Sequence, residues 1–75
     1  MDMEYYKDYI NLGLNIGYYR RAAGYTQLDF AELLDINRVH MSTIESARAG
    51  VSLDVVFKAA KILNVPVNKF FENRD

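Results

Sequence analysis

Between Thr26 and Glu45 the chain fits two short helices with only a tight turn between them. Thr26 is a good N-cap for a helix over Gln27–Leu34, and Asp29 places a carboxylate near that helix start, where it suits the helix dipole. Asp35 falls in the turn. Asn37 then caps another helix from Arg38 to about Ala47. Its apolar residues occupy one side, while the other carries Arg38, Val39, Ser42 and Thr43. A short helix patterned in this way is held by a small core on one face and offers the other to a groove such as that of duplex DNA.

The flanking segments supply that core. Glu4 to Ala23 reads as a long first helix, with Ile10, Leu12, Ile16 and Tyr19 at roughly helical spacing. Gly13 and Gly17 lie inside it. Glycine in a helix costs about 1 kcal/mol relative to alanine, so their presence points to close packing or a bend. The surrounding helix is too polar for a membrane dimer motif. Gly24 ends the helix by taking a left-handed conformation. Ser52 caps a fourth helix, Leu53 to Leu63, whose buried side comes from Val55, Val56, Ala59, Ala60, Ile62 and Leu63. Pro66 suits the first turn of a final short helix carrying Val67, Phe70 and Phe71. No segment alternates with a two-residue period. The expectation is an all-α, five-helix single domain over residues 1–75, with a family-like core over 12–71 and an N-terminal helix extension over 1–11.

Composition narrows the function. With 51% hydrophobic residues the chain can fill one compact core, and with no cysteine it has neither a disulfide nor a thiolate metal site. Absence of cysteine fits a reducing cytoplasm. No apolar run approaches the roughly 20 residues of a membrane span, and the acidic start Met1-Asp2-Met3-Glu4 lacks the basic flank of a signal peptide. Nine Lys/Arg against ten Asp/Glu give a net charge of −1. A nucleic-acid binder usually shows a basic footprint. Here Arg38 and Arg48 face Glu45 in the reading segment, so attraction to phosphate is weak per subunit and pairing of subunits gains importance.

Several motifs together resemble the lambda-repressor-like, Xre-type helix-turn-helix family. They are Gly13-xx-Ile16-xx-Tyr19-Arg20, Gly24-Tyr25-Thr26-Gln27, Phe30-Ala31-xx-Leu34, Met41-xx-Ile44-Glu45, Ser52-Leu53, Ala60-xx-Leu63-Asn64-Val65-Pro66 and Phe70-Phe71, covering Leu12 to Phe71. The resemblance implies a homodimeric transcriptional regulator that binds double-stranded DNA. The chain departs from the family pattern at Asp35 and Ala47, where glycine is usual, at Val51, where proline is usual, and at Leu28, a commonly polar position. Ala47 and Val51 lead to the expectation that the third helix runs longer than is typical.

On this reading the DNA-facing residues are Gln27, Asn37, Arg38, Val39, His40, Ser42, Thr43 and Arg48. Arg38 is suited to a bidentate guanine contact and Val39 to a thymine methyl, unless Val39 turns partly into the core. Ser42 and Thr43 are small enough to let the helix approach and can bond a base edge or a phosphate. Family resemblance gives Gln27 a phosphate contact beside backbone donors of a helix start. His40 and Arg48 flank the backbone. The same resemblance implies a structural ion pair between Arg20 and Glu45, and dimer contacts from Val67, Phe70 and Phe71.

Tyr5, Tyr6, Tyr9, Tyr18 and Tyr19 suit core packing and a protein interface better than stacking on single strands. No phosphate-cradling glycine loop, metal-ligand spacing or paired nucleophile and base occurs, so no enzyme, cofactor, metal or small-molecule substrate is expected. The rival to DNA binding is a protein-interaction module on the same fold. The acidic balance, Asp35 and Leu28 favour it.

Overall fold

The structure is a computed structural model that describes residues 3–74, so residues 1 and 2 of the expected N-terminal extension lie outside it. A 3-10 turn at Met3–Tyr5 leads into α1 (Tyr6–Ala22), followed by α2 (Gln27–Leu34), α3 (Arg38–Glu45), α4 (Leu53–Leu63) and a closing 3-10 turn at Val67–Phe71. The described residues are all-helical, as the periodicity predicts, but with four α-helices rather than five.

Several details differ from the sequence expectation, α1 closing at Ala22 and not Ala23 among them. The first helix begins at Tyr6, not Glu4, because Tyr5 at the N-cap provides no side-chain acceptor and the entry tightens into a 3-10 turn. The third helix ends at Glu45 instead of running to Ala47. Ala47 adopts φ 60°, and its N–H bonds the Ile44 carbonyl at 3.2 Å while the Arg48 N–H reaches Thr43 at 2.9 Å. These two bonds close the helix. The last element stays a 3-10 turn. Asn15 Nδ2 donates to the Phe70 carbonyl at 2.9 Å and to the Glu72 carbonyl at 2.8 Å, and Glu72 leaves the element with extended backbone.

All four helices close with the same pair of bonds around one left-handed residue. Gly24, Asp35, Ala47 and Asn64 have φ of 86°, 60°, 60° and 56°. Asp35 and Asn64 carry short polar side chains that tolerate this region. The starts are equally local. Thr26 Oγ1 accepts from the Asp29 N–H at 3.0 Å, Asn37 Oδ1 from His40 at 2.7 Å, and Ser52 Oγ from Val55 at 3.3 Å.

The core unites all the helices. Ile16 of α1, Phe30 and Ala31 of α2, Met41 and Ile44 of α3, Val56 and Ala59 of α4, and Phe70 interlock as buried residues. Asn15 and Arg20 are the buried polar residues among those described, and Asn15 ties the C-terminal segment to α1. Arg74 Nε donates to Asn15 Oδ1, and its guanidinium stacks 3.9 Å above the Tyr18 ring. Gly13 and Gly17 are the sites of close approach between α1 and α3. A Cβ on Gly13 would lie 2.6 Å from the Ile44 carbonyl oxygen, and one on Gly17 would lie 3.1 Å from Glu45 Oε1.

Candidate nucleic-acid interface

Met41 and Ile44 anchor α3 in the core, and the spacing of three places both on one side of the helix. Its opposite side is open. Arg38 and Val39 occupy the first turn and are exposed, Val39 at 65%. This rules out the inward alternative for Val39.

Asn37 spends its carbonyl oxygen on the α3 N-cap. His40 is half-buried. Thr43 Oγ1 donates to the His40 carbonyl at 2.8 Å, so its proton is committed within the helix. The Thr43 oxygen keeps its lone pairs as acceptors. Ser42, half-buried beside it, makes no side-chain hydrogen bond among the described residues.

Past the helix end, Arg48 is exposed and its Nε donates to Ser46 Oγ at 2.9 Å. Ser46 in turn donates to the Ser42 carbonyl at 2.9 Å. The sequence reading overlooked Ser46, which engages Arg48 through Nε and makes no bond to its terminal nitrogens. The signal was available in the two-residue spacing.

The scaffold behind α3 is polar as well as apolar. Arg20 Nε and Nη2 reach the two Glu45 oxygens at 2.7 and 3.1 Å, with both side chains 8% exposed. Arg20 Nη1 also donates to the Tyr25 carbonyl at 2.8 Å. The pair therefore joins α1, the α1–α2 turn and α3. Gln27 is drawn into it. Its Nε2 donates to Glu45 Oε1 at 3.1 Å, an engagement that sequence reasoning missed. One amide hydrogen is used in this way and the other is uncommitted.

The expected dimer residues separate. Phe70 is fully buried and so leaves the candidate interface, because its ring fills the core beneath α1. Val67 is half-buried and Phe71 is 53% exposed. Tyr5, Leu53 and Phe57 are also exposed. Phe71 lines an apolar groove with Tyr5, Tyr9, Val51, Leu53 and Val56, about 230 Å³ in volume.

Among the described residues no group of acidic, histidine and cysteine side chains is arranged to hold a metal ion, and no helix is long and apolar enough to cross a membrane.

An all-helical bundle that holds a short capped helix against its core and frees that helix's outer face defines a helix-turn-helix domain. The helix-turn-helix family model matches residues 16–70, and the chain belongs to this lambda-repressor-like, Xre-type family. Among solved structures it is similar to the restriction-modification controller protein C.AhdI from Aeromonas hydrophila, with 26% identity and a TM-score of 0.82 over 91% of this chain and 99% of that one. It is similar too to the N-terminal DNA binding domain of SinR from Bacillus subtilis, at 25% identity and a TM-score of 0.74, covering 84% and 93%. A hypothetical transcription factor, NHTF from Neisseria, shares the fold at 23% identity and a TM-score of 0.79, covering 87% of this chain and 75% of that one. No curated protein matches the chain.

Proposed function

We propose that this chain is a DNA-binding transcriptional regulator that recognises duplex DNA through α3. The observation that carries the reading is the outward presentation of Arg38 and Val39 on a helix whose other side is fixed by Met41, Ile44 and the Arg20–Glu45 pair. Membership of the helix-turn-helix family supports it, as does likeness to a controller protein and to a DNA binding domain.

In this reading Arg38 donates to a guanine edge and Val39 packs on a thymine methyl. Gln27, Arg48 and His40 hold the backbone and set the register, while Asn37 keeps the helix start in shape. Ser42 and Thr43 permit close approach. The protein works as a homodimer on an inverted repeat and represses by occupying a promoter. Three considerations support pairing. The net charge of −1 gives each subunit little phosphate attraction, so bivalence supplies affinity. Val67, Phe71, Leu53 and Phe57 offer an apolar surface for the contact. A domain with extents of 31 × 23 × 20 Å is also of a size that lets two copies side by side present equivalent helices about one DNA turn, ~34 Å, apart.

The test is selection of preferred duplexes from a random pool, followed by titration at several salt concentrations with the mass of the complex measured in parallel. The expected result is an inverted repeat, two chains per site and affinity that falls steeply with salt. Leu28, 52% exposed on α2, favours a second reading as a protein-interaction module without DNA affinity. Failure to enrich any duplex at low salt selects that reading.

A further inference from the structure

We infer that Glu45 is a positioning residue for Gln27, holding the Gln27 carboxamide in a fixed orientation toward a backbone phosphate. This rests on the proposed phosphate contact of Gln27. Gln27 is the first residue of α2, beside backbone N–H groups that have no partner within the helix. A long side chain at such a place ordinarily samples many rotamers and loses that freedom on binding. Here it is already tied.

The chemistry of the tie fixes its direction. A carboxylate only accepts, so the Gln27 group facing Glu45 Oε1 at 3.1 Å is the amide nitrogen and not the carbonyl oxygen. One amide hydrogen points to Glu45, and planarity of the amide aims the other away from it. Glu45 is itself immobile. Arg20 binds both of its oxygens, and Arg20 is anchored to the Tyr25 carbonyl. Gly17 makes room for the arrangement, since a Cβ there would stand 3.1 Å from the same Oε1 that Gln27 uses. The chain Tyr25–Arg20–Glu45–Gln27 thus runs from the end of α1 through the end of α3 to the start of α2. It couples the position of the reading helix to that of a phosphate donor on its neighbour.

A double-mutant cycle tests this, reading affinity for a duplex of arbitrary sequence at fixed salt. Replacing the pair with Arg20→Met and Glu45→Leu removes the Gln27 acceptor without leaving an unpaired buried charge. Gln27→Ala is expected to weaken the otherwise unaltered protein by about threefold to tenfold, the worth of one hydrogen bond, and to weaken the pair-replaced protein by about twofold or less. Equal losses in both backgrounds overturn the positioning role and leave the phosphate contact standing. No loss in the unaltered background overturns both. Should the pair-replaced protein not fold, NMR relaxation of the Gln27 side-chain amide in the unmodified protein decides. Order close to that of the backbone supports the inference, and the mobility of a free surface glutamine overturns it.

Discussion

Gly13 lies directly beneath Ile44, so close that a methyl group on it would sit 2.6 Å from the Ile44 carbonyl oxygen and 2.7 Å from that of Glu45. The obstacle is backbone on both counts and cannot rotate away. Gly13→Ala gains about 1 kcal/mol in helix propensity, but separating α1 from the end of α3 costs about 2–3 kcal/mol in overpacking. The expected outcome is a net loss of stability, read as a fall in Tm of about 5–15 °C. A variant as stable as the parent would show that the two helices do not meet as described.

The Arg20–Glu45 pair responds differently. Removing one partner strands a charge that is almost wholly shielded from water. Arg20→Ala should lower the unfolding free energy by about 3 kcal/mol. That is a large share of the stability of a domain this small. Urea denaturation measures it directly, and a loss under about 1 kcal/mol, the value of a surface pair, would contradict the burial.

Phe70 and Phe71 are adjacent in sequence and opposite in consequence. Phe70→Ala empties a core site and should cost about 3–5 kcal/mol whatever the protein concentration. If the chain pairs as proposed, Phe71→Lys should leave the fold intact but weaken that pairing, shifting the sedimentation profile toward the single chain at micromolar concentration. Unchanged association in Phe71→Lys would remove this face from the proposed dimer.

Ala47 occupies left-handed backbone with its methyl group buried. A β-branched side chain is an outlier there. Ala47→Val should therefore destabilise by about 2 kcal/mol or more, whereas Ala47→Gly stays within about 1 kcal/mol because relief of strain offsets the lost methyl and the freer unfolded chain. Thermal melts of the two variants side by side provide the check; the reverse ranking would refute the geometry at the end of α3.

Arg38 and Arg48 should separate in their effect on DNA. Arg38→Ala is expected to reduce discrimination between preferred and altered sites by about 1–3 kcal/mol. Arg48→Ala should weaken every sequence alike and lower the slope of log affinity against log salt by about one. Quantitative binding at three salt concentrations distinguishes them. An unchanged preference in Arg38→Ala would contradict the base contact.

What the sequence revealed follows the locality of each signal. The starts of α2, α3 and α4 were legible because Thr26, Asn37 and Ser52 carry their caps within three residues. The ends at Asp35 and Asn64 were legible for the same reason. The true stop of α3 was not, because alanine carries no preference for left-handed backbone and gave no warning at Ala47. The Arg20–Glu45 pair was accessible only through family resemblance, since 25 residues separate the partners. Gln27 was placed on the DNA-facing side, yet its bond to Glu45 depends on how α2 and α3 cross. Asn15 escaped notice although it shares a helical face with Leu12 and Tyr19, where a polar side chain needs a partner. Its partners lie 55 and 57 residues onward, a separation that periodicity does not encode.

That separation has a bearing on biosynthesis. While the chain emerges from the ribosome, the Asn15 carboxamide has only water to bond until residues 70 and 72 have also emerged, and the ring of Phe70 is missing from the core for just as long. The helix α1 is thus made before the residues that complete its packing, and a chain broken off before Phe70 would carry an open hydrophobic seam.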